Sequence, residues 1–352
     1  MLYARIKKRL GKFTLDTELS CENEAVGILG ASGSGKSMTL RCIAGIVKPD
    51  EGKIIADGVT LFDSEKGVNI PPRKRGVGLL FQNYALFPNM AVEQNIRVGM
   101  RGLSRAQQKR EAAELIEQFR LGELARHTPA QLSGGQQQRC ALARIFAAKP
   151  KLLLLDEPFS ALDSHLRWQL EQEVSQIIAQ FSGTTLLVSH NRDEVYRLCE
   201  KIAVTDNGIC TGAREKAAVF EHPQTYAQAL LTGCKNLSRA RRLSDNTVYA
   251  VDWDLSLRVE NVPENVKFVG IRAHRFQSAQ ALPVRNGFSC EILRRTEDTF
   301  SMIYLMQRAG ETTDKPQPTQ PLRWEAEKGG AAFSVGARVN VVIAEKDILL
   351  LS

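Results

Sequence analysis

The stretch GILGASGSGKSMTL, Gly27 to Leu40, sets Gly30, Gly33 and Gly35 between an apolar run and an amphipathic one. Ala25 to Leu29 reads as a short buried strand. KSMTLRCIAG reads as a helix whose apolar positions Met38, Leu40, Ile43 and Ala44 fall mainly on one side. The glycines then lie in the turn, where Gly30, Gly33 and Gly35 permit positive φ. Consecutive backbone N–H groups of residues 31 to 37 can curl around a polyphosphate at the positive end of the helix. Gly30 to Ser37 complete the pattern G-x-x-x-x-G-K-[ST], in which Lys36 reaches the β and γ phosphates and the Ser37 hydroxyl ligates Mg²⁺.

Four further segments fit around that loop. KLLLLDEP, Lys151 to Pro158, is a continuous apolar run ending in two acids, as for a central parallel strand that delivers carboxylates at its carboxyl end. Asp156 is placed to hold Mg²⁺ through water, and Glu157, pointing elsewhere, to polarise the attacking water as general base. LSGGQQQR, Leu132 to Arg139, reads as a helix start with Ser133 as N-cap and Pro150 beyond the helix end. Adjacent glycines in a helix cost about 1 kcal/mol each unless something must approach the backbone closely, so Gly134 and Gly135 point to a second phosphate-binding terminus. Each element occurs once. A head-to-tail pair of chains, with Ser133 and Gly135 of one closing over the nucleotide of the other, would give two composite sites.

TTLLVSH, Thr184 to His190, is a β-branched apolar strand ending in histidine. A lone histidine is usually structural, but at the end of a strand in the same sheet His190 can contact the γ phosphate and hold the water with Glu157. Gln82 follows the strand-like VGLLF. It is either an ordinary loop glutamine or a residue that reaches Mg²⁺ and senses the γ phosphate.

The 352 residues exceed one comfortable core, which predicts a large domain followed by a smaller one. Hydrophobic content of 43% and charged content of 24% are those of a globular protein, and no segment approaches the roughly 20 apolar residues that cross a bilayer. The amino terminus MLYARIKKRL carries no apolar export core, so the cytosol is the expected compartment. Seven scattered cysteines without a C-x-x-C pair read as reduced, buried thiols. The net charge of +8 permits nucleic acid or an anionic membrane surface without selecting either, and SRARR, Ser238 to Arg242, reads as a solvated connector.

In combination and order these segments resemble the ATP-binding subunits of ABC transporters over about residues 1 to 232. GASGSGKS resembles Walker A, FQNYALFP the Q-loop, LSGGQQQR the signature motif, LLLLDEP the Walker B strand, SALD (Ser160 to Asp163) the D-loop, and His190 the switch histidine. The resemblance implies an α/β P-loop ATPase domain with a helical subdomain at about 83–148, working with ATP and Mg²⁺. It implies Glu157, His190 and Lys36 as catalytic residues, and Ser37, Gln82 and Asp156 around the metal. The nucleotide would be held by Gly30, Ala31, Ser32, Gly33, Ser34, Gly35, Lys36, Ser37, Met38 and Gln82, with Ser133, Gly134, Gly135, Gln136 and Asp163. The adenine platform, usually an aromatic upstream of Walker A, has Leu10 and Phe13 as candidates.

QNYALFPNMAVEQNI with DEPFSALD is similar to bacterial importers of sugars, polyamines and oxyanions. Residues 83 to 100 would then form much of a groove that receives a membrane permease subunit, and an extracytoplasmic solute-binding protein would act upstream. The chain would sit peripherally on the cytoplasmic face of the inner membrane, as a dimer with a second copy of itself and without nucleic acid. From residue 233 the texture changes to short alternating segments such as NTVYAVDWDLSLRVE, KFVGIRAH, FSCEILRR and ARVNVVIAEKDILLLS, with RAGETTDKPQPTQPLRW as a long loop. These predict a small all-β barrel over 233–352, OB-like and similar to the TOBE or molybdate-binding accessory domains. VGIRAHRF resembles a segment of the accessory barrels in this importer group, with Ala273-His274 in place of the usual proline and acid. VRNGFSCEIL is similar to an oxyanion-type barrel repeat and TGCKN to the connector of molybdate importer ATPases, which tilt the expected solute to molybdate or a related oxyanion. Sulfate, polyamine, iron and sugar importers are the alternatives, followed by a soluble ABC ATPase acting on ribosomes or nucleic acid.

Overall fold

A computed structural model of the chain describes all residues except 101, 161–163, 310–319 and 331, with 164–166 described by backbone only. The chain divides into two compact units, Met1–Lys216 and Ala217–Ser352.

The first unit is built on an eleven-stranded sheet. One half is antiparallel and centres on the hairpin of Leu2–Leu10 and Phe13–Cys21. The other half is parallel, in the order Lys201–Asp206, Ala25–Gly30, Thr184–Ser189, Leu152–Asp156, Val77–Leu80. Ala25–Gly30, Leu152–Asp156 and Thr184–Ser189 are buried at every position, as apolar runs covered on both faces must be. Their register decides where the chemistry falls. Leu29 pairs with Ser189, Val188 with Asp156 and Leu155 with Leu80, so Gly30, His190, Glu157 and Gln82 all leave the sheet at its carboxyl edge. Between the last two strands the chain inserts helices Val92–Arg97, Arg105–Gln118 and Gly134–Ala147, which form the expected helical subdomain.

The helix after the glycine loop, Lys36–Ala44, ends on Gly45 at φ 82°. Arg75, 5% exposed, donates to the carbonyls of Cys42 (3.0 Å), Ile43 (2.8 Å) and Ile70 (2.7 Å) and to Asn69 Oδ1 (2.9 Å). A cation at the negative end of the helix thus donates to its last carbonyls, adding to the bond that Gly45 N makes with Cys42 O at 3.1 Å. Arg75→Met takes the side-chain donor from two buried carbonyls, of which Cys42 O keeps Gly45 N as a partner, and should cost about 2 kcal/mol, lowering the melting temperature of this unit by about 4–8 °C. A loss below about 1 kcal/mol in calorimetry would show that Arg75 does not hold this helix.

The second unit is mainly β, with two five-stranded antiparallel sheets around one core that includes Val248, Trp253, Ile271, Ile292, Tyr304 and Val341, preceded by the short helix Tyr226–Leu231. It begins before the boundary expected after residue 232, because Tyr226–Leu231 belongs to it. Tyr226 packs on Phe268 at 4.8 Å, Arg272 donates to Thr232 O at 2.9 Å, and Ser352 N donates to Gln224 O at 3.1 Å. SRARR is not a connector. It lies in strand Asn236–Ser244, where alternation buries Ser238 while Arg239 faces out to bind Asp252 at 2.7 Å. ARVNVVIAEKDILLLS forms two strands, Arg338–Val342 and Ile348–Leu351, in different sheets. In the expected long loop, residues 310–319 lie outside the described residues, and Leu322–Glu327 is a strand.

Candidate active site

The glycine loop departs from expectation at one position. Gly33 (φ 79°) and Gly35 (φ 105°) adopt the left-handed backbone, whereas Gly30 does not. Gly30 is required by space instead, since a Cβ there would lie 2.5 Å from Thr205 O on the adjacent strand. At Gly35 a Cβ would lie 2.7 Å from Leu15 and 3.1 Å from Phe13. Phe13 therefore packs against the loop, while Leu10, its partner across the hairpin turn, is 37% exposed. Ala31, Ser32 and Gly33 are exposed, Ser34 is buried, and Met38 is half-buried on the helix.

Lys36 is 4% exposed, and its Nζ donates to Gly30 O and Ala31 O, both at 2.8 Å. Burial holds its pKa below the ordinary value, opposed by the charges of Glu157 and Asp156. Ser37 Oγ donates to Asp156 Oδ1 at 2.6 Å. Burial pushes the Asp156 carboxyl up, opposed by that hydroxyl and by Arg41. The pair is a fit for Mg²⁺, because hydroxyl and carboxylate are both hard oxygen donors. Among the described residues no group of three or more His, Cys, Asp or Glu is placed to hold a metal ion. A nucleotide would bring the anion that relieves buried Lys36, and its Mg²⁺ the cation that relieves buried Asp156.

Glu157 has a left-handed backbone (φ 45°), which costs a side-chain-bearing residue about 1–2 kcal/mol. Glu157 N donates to Val188 O at 2.9 Å, while Ser160 Oγ donates to Glu157 O at 3.0 Å, holding that conformation. Its Oε1 lies 3.2 Å from His190 Nδ1, so the strained turn aims the carboxylate at the neighbouring strand's histidine. Gln82 is exposed two residues beyond Val77–Leu80, at the same edge.

Ser133 caps helix Gly134–Ala147 through a reciprocal box: Gln136 N donates to Ser133 Oγ (3.4 Å) and Ser133 N to Gln136 Oε1 (2.8 Å). Among the described residues no hydrogen bond joins Ser133–Gln136 to residues 30–38, and Asp163 lies outside the described residues. The segment after Gln82 is pinned by two residues that sequence inspection passes over. Arg144 donates to Tyr84 O (2.9 Å) and Ala85 O (2.7 Å) and stacks on Phe87 at 5.5 Å. Buried Asn95 bonds Phe87 N and the carbonyls of Phe87, Met90 and Ala91. The outcome for the expected groove is divided, with Tyr84 buried and Phe87 and Met90 exposed. A polar residue at a helix position facing inward was the available signal for Asn95.

Comparison with known proteins agrees with this geometry. The ABC transporter family model matches residues 16–160. The Fe(3+) ions import ATP-binding protein FbpC of Streptomyces coelicolor is 35% identical over 94% of this chain and 90% of its own length. The putrescine transport ATP-binding protein PotG of Escherichia coli is 39% identical over 70% of this chain and 67% of its own length. The molybdenum import ATP-binding protein ModC of Paramagnetospirillum magneticum is 38% identical over 59% of this chain, and the match spans 57% of that relative, under two thirds of it. Among solved structures, a dimeric ATP-binding cassette in a post-hydrolysis state bound to ADP and Pi aligns with a TM-score of 0.53 at 29% identity, over 61% of this chain and 99% of that one. The chain belongs to the ATP-binding subunits of ABC transporters, a family of ATPases that power transport, in the group that contains these import proteins.

Proposed function

We propose that the chain hydrolyses ATP to drive import of a small solute through a membrane permease. The observation that carries this is the placement of Glu157 against His190 at the edge where the glycine loop and Asp156 also emerge. Lys36 and the loop amides bind the phosphates, Ser37, Gln82 and Asp156 hold Mg²⁺, and Phe13 is the better placed of the two candidates to support adenine. Glu157 accepts a proton from the attacking water, and His190 orients that water toward the γ phosphate. Two copies join head to tail, with Ser133, Gly134, Gly135, Gln136 and Asp163 of each completing the other's site. ATP stabilises the closed pair and hydrolysis releases it.

The permease contacts the pinned loop around Phe87 and Met90, which places the chain peripherally on the cytoplasmic face of the membrane. No helix among the described residues is long and apolar enough to cross it. The solute is molybdate or a related oxyanion, a reading supported by the TGCKN and VRNGFSCEIL segments and by the molybdenum relative. Putrescine and iron proteins of comparable identity are what it must be tested against. Purifying Glu157→Gln chains with ATP from their native cells should co-isolate a multi-span membrane protein. Recovery of ribosomes without one would overturn the importer reading. In the same cells Lys36→Ala should abolish uptake of labelled molybdate, and loss of putrescine or iron uptake instead would replace the oxyanion.

A further inference from the structure

His190 is 59% exposed at its side chain, yet its Nδ1 stands 3.2 Å from Glu157, so its backbone must be fixed from elsewhere. Both chain neighbours of His190 are anchored to one buried carboxylate. Ser189 Oγ donates to Glu194 Oε2 at 2.6 Å, and Asn191 Nδ2 donates to Glu194 Oε1 at 3.2 Å. Asn191 N in turn donates to Ser189 Oγ at 2.9 Å, closing the arrangement around the histidine. Glu194 is not needed to cap helix Arg192–Leu198, because Asn191 Oδ1 already accepts from the N–H groups of Asp193 (2.9 Å) and Glu194 (3.4 Å).

The same carboxylate reaches a second element. Glu194 Oε1 lies 4.0 Å from Arg167 Nε on helix Ser164–Gln180. One turn along, Glu171 accepts from Arg197 Nε (2.9 Å) and Nη2 (2.7 Å). Each of the two helices thus gives one acid and one base to a crossed double tie. Burial pushes the Glu194 carboxyl up, and the Ser189 hydroxyl, Arg167 and His190 oppose that shift. A carboxylate 4% exposed is expensive to keep, which argues for a use beyond filling space.

We propose that Glu194 is a positioning residue for hydrolysis: it fixes His190 toward Glu157 and couples that placement, through Arg167, to helix Ser164–Gln180. This rests on the reading of Glu157 and His190 as the hydrolytic pair. Hydrolysis is sensitive to small misplacements of an orienting group, so loosening His190 should slow turnover without weakening ATP binding.

Glu194→Gln preserves volume but turns an amide NH₂ toward one of two donors. In the full-length chain it should lower kcat about tenfold with KM changed less than about twofold. In a His190→Ala background, read by single-turnover hydrolysis of radiolabelled MgATP, it should change the rate by less than about twofold. Ser189→Ala, which removes only the hydroxyl, should show the same dependence on His190 and serves if Glu194→Gln misfolds. An unchanged kcat, or the same tenfold loss in both backgrounds, would overturn the positioning role. If His190→Ala alone leaves kcat unchanged, the hydrolytic pair itself is wrong and the proposal falls with it.

Discussion

Glu157→Gln should lower steady-state ATP hydrolysis by about 10²–10³-fold, a barrier increase of about 3–4 kcal/mol, while leaving ATP affinity close to that of the parent chain. The two effects separate because different groups carry them. In the proposed mechanism phosphate affinity comes from the loop amides and buried Lys36, which the substitution does not touch. Glutamine keeps the length of the side chain and the strained φ of 45° that Val188 and Ser160 hold in place, but it cannot take a proton from water. With hydrolysis blocked, nothing reopens the ATP-bound pair, so light scattering should find a dimer with ATP and a monomer with ADP. Equal hydrolysis rates in parent and variant chains, after phosphate contamination is excluded, would remove Glu157 as the base. Unaltered hydrolysis together with an unaltered dimer population would remove the closing mechanism as well.

The parts of this site that could be read in the sequence were those where a residue type is forced by backbone or chemistry. The loop from Gly30 to Ser37 announces itself because no side chain fits at Gly30 and Gly35, although the reason at Gly30 is the carbonyl of Thr205 across the sheet rather than local φ. Three apolar runs gave the parallel strands because, at 6, 5 and 6 residues, they are too short for buried helices, although periodicity alone does not separate the two. What stayed hidden depends on distant partners. Arg75 lies 33 and 32 residues beyond Cys42 and Ile43, and only the fold brings it under their carbonyls. Glu194 reads as one of several charges on a short amphipathic helix until Ser189 and Arg167 are seen on either side of it. The SRARR segment misleads for a related reason, because Arg239 and Arg241 occupy outward positions of a strand whose pairing with Phe268–Ile271 is set by residues about thirty positions away.

Heterodimers distinguish a composite site from one contained in a single chain. Lys36→Ala removes the buried amine from the loop, and Gly135→Asp places a carboxylate at the helix terminus proposed to meet phosphate; each homodimer should lose nearly all hydrolysis. In a heterodimer of one variant with the other, isolated by two affinity tags, the head-to-tail arrangement puts both lesions in one site and leaves the second intact. That heterodimer should recover up to about half of the parent rate if the two sites act independently. A wild-type chain paired with a Lys36→Ala/Gly135→Asp double variant has the opposite outcome: each site receives one lesion, so the rate should stay near zero although one chain is undamaged. A site held within a single chain reverses both results, with the first heterodimer dead and the second half active. The crossed pair of measurements therefore tests the geometry of assembly without relying on the size of either rate.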